Sequence, residues 1–211
     1  MTREMCRLYP HIYFDVMPWG YGWVFPRGDT CSIGVGGLVR KGTDFRATLR
    51  ELVGMTCTEG TWDRLKVQGF SLPFGNFGRT PGRKGILLIG DAAGLAEPVT
   101  GEGISFAVES AGLAARAIGD AFAAGEPASA GRRYTKLYRK ALYPQFNQAR
   151  WARLLLYPRL TLPLAMHALS RNPDRIRWFF EVSSGGISYA EYTRRMLRSI
   201  IFRGRPSHPA S

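Results

Sequence analysis

Gly85-Ile86-Leu87-Leu88-Ile89-Gly90 is a short apolar run bracketed by glycines, and Gly101 to Ala124 is a long stretch thick with Gly, Ala and Ser. The first reads as a strand buried on both faces and the second as a helix, joined by a loop from Asp91 to Thr100. A buried strand feeding a long helix restricts this part of the chain to an α/β arrangement. In such sheets ligands sit beyond the carboxyl ends of the strands, which is where Gly90-Asp91 falls. A carboxylate there can accept hydrogen bonds from a sugar or polyol hydroxyl. Gly101 and Gly103 at the helix start leave backbone N–H groups uncovered, and the positive end of the helix dipole favours negative charge. Small residues farther along (Ser105, Ala107, Gly112, Ala115) permit close packing against a sheet or a ligand. The plainer alternative is a strand, a turn and a helix whose glycines serve packing alone.

The region before this unit reads as β. Ile12 to Val16, Tyr21 to Phe25 and Thr30 to Val35 are strand-like, with Pro26-Arg27-Gly28-Asp29 as the turn of a hairpin. Asp44 to Val53 reads as a helix with Thr43 at its cap and Phe45, Leu49, Leu52 and Val53 on one face. A further strand is expected near Val67 to Leu72, then a Gly/Pro-rich loop from Pro73 to Gly85. From Arg132 onward the pattern is helical, broken at Pro144, Pro158, Pro163 and Pro173. The last helix, Tyr189 to Phe202, sets Tyr192, Met196 and Ile200 against Arg194, Arg195 and Arg198.

Charge is unevenly spread. The 211 residues hold 29 Lys and Arg against 16 Asp and Glu, a net of +13. Residues 1–105 hold 12 basic and 10 acidic side chains, so 17 and 6 fall to residues 106–211, a net of +11. Such a half suits a solvated helix surface or an anionic partner, nucleic acid or membrane headgroups. Hydrophobic residues at 45% exclude a disordered chain, and the most apolar stretch, Leu154 to Leu169, is interrupted by Pro158, Arg159 and Pro163 and is too short to span a bilayer. Cys6, Cys31 and Cys57 form an odd set without a CxxC pair, which points away from a zinc site or disulfide framework and toward a reducing, cytoplasmic setting. No signal peptide is visible. The final residues, Gly204 to Ser211, read as a frayed tail.

The string Gly90-Asp91-Ala92-Ala93-Gly94-Leu95-Ala96-Glu97-Pro98-Val99-Thr100-Gly101-Glu102-Gly103-Ile104 closely resembles the second FAD-binding motif of the para-hydroxybenzoate-hydroxylase-like flavoproteins. The resemblance implies that Asp91 contacts the ribityl chain of FAD, and that Gly90, Pro98, Gly101, Gly103 and Ile104 form the wall and helix terminus beside the flavin. It also implies that the helix start stabilises the negative charge of reduced flavin, with no catalytic side chain here. Glu97 and Glu102 receive no catalytic role, and Glu102 is expected to face solvent or serve the helix start.

A second motif is independent of the first. Tyr21-Gly22-Trp23-Val24-Phe25-Pro26, seven residues, then Gly34-Val35-Gly36 resembles the YxWxFP…GxG pattern of the geranylgeranyl reductase family. Period two puts Tyr21, Trp23 and Phe25 on one face, which for a generic strand would mean packing on a core. The resemblance instead implies that Tyr21, Trp23, Phe25, Pro26, Gly34 and Gly36 line the cavity for an isoprenoid lipid substrate. It implies hydride transfer from reduced FAD to an isoprenoid C=C bond, the electron donor (NAD(P)H or ferredoxin) and the proton source being open.

These flavoproteins begin with a βαβ unit bearing G-x-G-x-x-G, and this chain contains no such sequence. The expected architecture is therefore α/β (α+β): a β-sheet substrate region with one helix (1–84), the C-terminal part of a Rossmann-like FAD-binding domain (85–130) and a helical C-terminal region (131–211). The N-terminal βαβ unit is expected to be missing, as in a fragment, so the chain alone should hold FAD weakly or not at all. For the basic half, an anionic membrane surface is preferred over nucleic acid. Trp151, Leu154, Leu155, Leu156 and Tyr157 with Arg150, Arg153 and Arg159 read as an apolar helix face with a cationic rim, and no nucleic-acid-binding pattern is present. Two rival readings remain open: a flavin monooxygenase-type hydroxylase, which the Asp91 motif fits equally, and an inactive remnant that binds membranes.

Overall fold

The computed structural model describes residues 9–73, 75, 77–158 and 160–201. It is a mixed helix and sheet protein, and its chain divides into two compact units: residues 1–70 with 157–162, and residues 71–156 with 163–211.

In the first unit, β1 (His11–Phe14), β2 (Gly20–Arg27) and β3 (Thr30–Gly37) form an antiparallel sheet in that order. The hairpin is tighter than expected. Pro26 and Arg27 still pair with Cys31 and Thr30, leaving Gly28-Asp29 as the turn, with Gly28 at φ 58°. Proline is tolerated in this middle strand because β1 pairs only with Tyr21 to Val24, so Pro26 lies beyond its reach. The chain bends between β1 and β2 through two non-glycine residues in the left-handed region, Asp15 (φ 63°) and Trp19 (φ 58°). The following helix, α1 (Phe45–Thr56), is capped by Asp44, whose Oδ1 accepts from Ala47 N at 2.9 Å. Thr43, the expected cap, instead accepts from Arg40 N with its hydroxyl. α1 buries Leu52 and Val53, and Leu52 packs on Gly22 of β2, where a side chain would collide with it. The strand expected near Val67 to Leu72 does not form: those residues are irregular, and Phe70 and Leu72 are exposed.

The second unit opens with β4 (Gly82–Arg83) and β5 (Ile86–Leu87), a two-stranded ribbon. The buried strand expected at Gly85 to Gly90 is thus corrected. Only two of its residues pair, with one neighbour, and Ile86, Leu88 and Ile89 are 61%, 41% and 40% exposed because no further strand or layer covers them. After a 3-10 turn at Gly90–Ala93 comes α2 (Ile104–Ala123), then α3 (Ala130–Ala141), α4 (Tyr143–Leu156), α5 (Leu162–Ser170), α6 (Pro173–Ser183) and α7 (Tyr189–Ile201). Three of the prolines expected to break helices open them instead. Pro144, Pro163 and Pro173 sit in the first turn of α4, α5 and α6, where the missing N–H has no partner to lose.

The core of this unit is where α2 crosses α3 and α4: Leu95, Phe106, Ala114, Ala117, Tyr134, Tyr138, Leu142 and Phe146. Phe106 and Phe146 meet edge to face with centroids 4.8 Å apart. The Tyr134 hydroxyl, its pKa pushed up to about 12 by burial, donates to Leu88 O at 2.7 Å and ties α3 to the end of β5. Farther along, the buried Arg175 donates to Ala168 O, Ser199 Oγ and Ser199 O, joining α5, α6 and α7. One cation of the basic half is therefore internal rather than solvated.

Candidate functional site

Two groups of residues carry the sequence motifs, one in each unit, and each is described within its own unit.

In the first unit, Gly20, Gly22 and Val24 of β2 are buried, while Tyr21, Trp23 and Phe25 lie on the opposite, partly exposed face. The aromatics thus do not pack on the core; α1 occupies the other side of the strand. They run as a ladder: ring centroids are 6.0 Å apart for Tyr21 and Trp23 and 6.3 Å for Trp23 and Phe25. Trp23 lies opposite Gly34 in β3, and Tyr21 opposite Gly36. A Cβ on Gly34 would overlap the Trp23 indole, and one on Gly36 would come within 3.4 Å of it. These glycines therefore let a large ring lie flat on the sheet, a role that spacing alone could not reveal. Pro26, expected to line the same wall, instead falls by the strand's alternation on the face of Gly20, Gly22 and Val24, half-buried at its end.

In the second unit, Gly90, at φ 50°, is pressed against α2: a Cβ there would be 3.0 Å from Ala107 Cβ, and its N–H donates to Ser110 Oγ at 3.0 Å. The next residue, Asp91, is exposed. Its Oδ1 lies 3.4 Å from the position a Cβ would take on Gly103, the residue that starts α2. Gly101 adopts φ 75°, where a side chain is strained. Ile104 is 82% exposed, whereas Pro98 is fully buried. Asp91, Gly103 and Ile104 thus lie at the start of α2, with Gly90 held against Ala107 of the same helix; Gly101 closes the preceding loop through its N–H to Glu97 O, and Pro98 is buried in that loop.

Glu97 organises this loop, a function that the sequence did not disclose. Its side chain has no exposed surface, and Oε2 accepts from Val99 N (2.9 Å), Thr100 N (2.6 Å) and Thr100 Oγ1 (2.9 Å). Its Oε1 accepts from the hydroxyl of Tyr189, at the start of α7, at 2.5 Å. Burial raises the Glu97 pKa, and the hydrogen bonds from Tyr189, Thr100 and Val99 oppose that rise. The backbone closes the same turn through Glu97 N to Glu102 O (2.7 Å) and Gly101 N to Glu97 O (2.8 Å). The available signal was a carboxylate inside the apolar run Leu95-Ala96-Glu97-Pro98-Val99, but its partner is 92 positions away. Glu102 serves the helix start, as expected: Oε1 accepts from Ser105 N and Ser105 Oγ. Its other oxygen, Oε2, is buried without a hydrogen-bond partner.

This arrangement fits a polyhydroxylated ligand. The exposed Asp91 carboxylate offers acceptors for hydroxyl groups, and Gly103 leaves the space beside it free of a side chain. Among the described residues no His/Cys/Asp/Glu group could hold a metal ion, and no helix is long and apolar enough to cross a membrane.

No family model matches the chain. It is 34% identical over 121 residues to the geranylgeranyl diphosphate reductase of Rhodobacter capsulatus, which covers 56% of this chain and 30% of that protein. It is 35% identical over 129 residues to a digeranylgeranylglycerophospholipid reductase of Methanocella arvoryzae, covering 59% and 32%. The match thus spans about a third of the length of these curated relatives. The crystal structure of a geranylgeranyl bacteriochlorophyll reductase-like protein from Thermoplasma acidophilum superposes with a TM-score of 0.51 at 22% identity, covering 71% of this chain and 39% of the other. That likeness shows a shared fold. Over more than half of its length, this chain is a sequence relative of the geranylgeranyl reductases.

Proposed function

We propose that this chain supplies the flavin-contacting and substrate-side residues of an FAD-dependent reductase of isoprenoid C=C bonds. The reading is carried by the Asp91 carboxylate set over Gly103 at the start of α2, in a chain related to geranylgeranyl reductases. Asp91 would hold the ribityl hydroxyls, and Gly90, Gly101, Gly103 and Ile104 would border the ring, with Pro98 supporting them. When bound, reduced FAD supplies the hydride that adds to one alkene carbon, a proton completing the other. The chain's own contribution is positional: Glu97 keeps the loop folded so that Asp91 and the glycine cradle stay in register. In the other unit, the Tyr21-Trp23-Phe25 ladder would offer an apolar wall to an isoprenoid chain, with Gly34 and Gly36 shaping it. The regions 1–84, 85–130 and 131–211 would then serve substrate, flavin and helical support. The exposed Trp151 and Leu154 on α4, with Arg150, would touch an anionic bilayer surface.

Product analysis tests the activity. The natively expressed protein is given chemically reduced FAD and geranylgeranyl diphosphate, and the prenyl products are weighed by mass spectrometry. Gain of two hydrogens per reduced double bond, lost in Asp91→Ala, is the expected result. Hydroxylated products under oxygen, or no reduction with FAD demonstrably bound, would reject it.

A further inference from the structure

An open surface cavity of about 340 Å³ lies on α3, lined by Thr80, Gly82, Arg132, Thr135, Lys136 and Arg139. Its volume is in the range of small-ligand sites, roughly 300–1,000 Å³. Residues 132, 136 and 139 follow helical spacing, so three cations share one face of α3, and no carboxylate is among the lining residues. Two of the lining side chains are fixed by the segment leading into β4. Arg139 donates to Arg79 O (2.9 Å) and Thr80 Oγ1 (3.4 Å), and Thr135 donates to Gly82 O (3.1 Å) while accepting from Gly82 N (3.3 Å). The strand lies unusually close to the helix at this point, since a Cβ on either Gly82 or Gly131 would overlap the other segment's backbone.

Arg133, next to Arg132 on α3, is neutralised by Glu126, whereas no carboxylate among the described residues pairs with Arg132, Lys136 or Arg139. Among the described residues, Arg132 and Lys136 have neither an ion pair nor a hydrogen-bond partner and both are exposed beside the cavity. Three cations on one face of α3, lining one cavity with no carboxylate among its lining residues, offer the charged donors that phosphoryl oxygens require.

We infer that this cavity binds a phosphate-type dianion, a diphosphate or a phosphate ester, through Arg132, Lys136 and Arg139. The site stands apart from the Asp91 cluster and does not depend on flavin chemistry. The full chain is titrated calorimetrically with inorganic pyrophosphate, beside the double variant Arg132→Gln/Lys136→Gln and a control that removes equal charge elsewhere, Arg116→Gln/Lys140→Gln. Circular dichroism verifies that both fold. Saturable binding is expected, weakened about tenfold or more in the first variant and little changed in the control. Absence of saturable pyrophosphate binding, or equal loss in both variants, overturns the site. Vesicles of phosphatidylcholine with and without phosphatidylglycerol identify the source of the anion. Sedimentation that needs Arg132 and Lys136 and is reversed by pyrophosphate assigns a lipid headgroup; saturable pyrophosphate binding without such sedimentation assigns a soluble phosphate.

Discussion

Glu97 is a carboxylate held away from water by the loop it folds. Because burial raises its pKa above the ordinary 4.5, the folded protein binds this proton more tightly than the unfolded chain. Its contribution to stability is therefore fully present below pH 4.5 and is lost as pH rises through the elevated folded value. Glu97→Gln keeps an oxygen for Val99 and Thr100 but cannot ionise. Urea unfolding across that window should show wild-type stability falling with pH and a flatter profile for the variant; parallel profiles would contradict the assignment. The Trp23–Gly34 pair makes a second claim at this scale. Gly34→Ala places a methyl where the indole lies, so it should cost about 1–3 kcal/mol and shift tryptophan fluorescence. An unchanged emission spectrum with unchanged stability would show that the ring does not lie on Gly34.

Elements were legible where their information is local. The hairpin, the helix from Ile104 to Ala123 and the proline-punctuated C-terminal helices follow from turn chemistry, small-residue content and proline position. The cap of α1 moved by one residue because the helix begins at Phe45, which puts the Asp44 carboxylate within reach of Ala47 N, while the Thr43 hydroxyl accepts from Arg40 N. Asp44→Ala should destabilise by ~1 kcal/mol in thermal unfolding and Thr43→Ala by much less; the reverse order would restore Thr43 as the cap. The Val67 to Leu72 segment failed as a strand because strand formation needs a partner edge, which composition does not report. At the other end, Tyr189→Phe removes the bond between α7 and Glu97. Amide exchange should then quicken at Val99 and Thr100, and equal protection in both proteins would exclude the coupling.

At the scale of the whole molecule, the candidate cofactor site consists of one loop and one helix start, without a G-x-G-x-x-G segment anywhere in the chain. Purified without added FAD, the protein should accordingly show little flavin absorbance, and a stoichiometric flavin spectrum would contradict that. Ile86, Leu88 and Ile89, with Val108 and Phe122 on α2, are exposed apolar side chains of the second unit. The motifs that resemble those of the geranylgeranyl reductases, the positive balance of the second half, the hairpin and the proline-opened helices were determined by the sequence, because each depends on residues close together along the chain. The tertiary structure alone decided which side of β2 is buried, that Glu97 and Tyr189 meet, that Ile86, Leu88 and Ile89 are exposed, and that Arg132, Lys136 and Arg139 line one cavity. Burial and charge pairing are properties of segments far apart in sequence, set by what packs against what, and no local pattern encodes the partner.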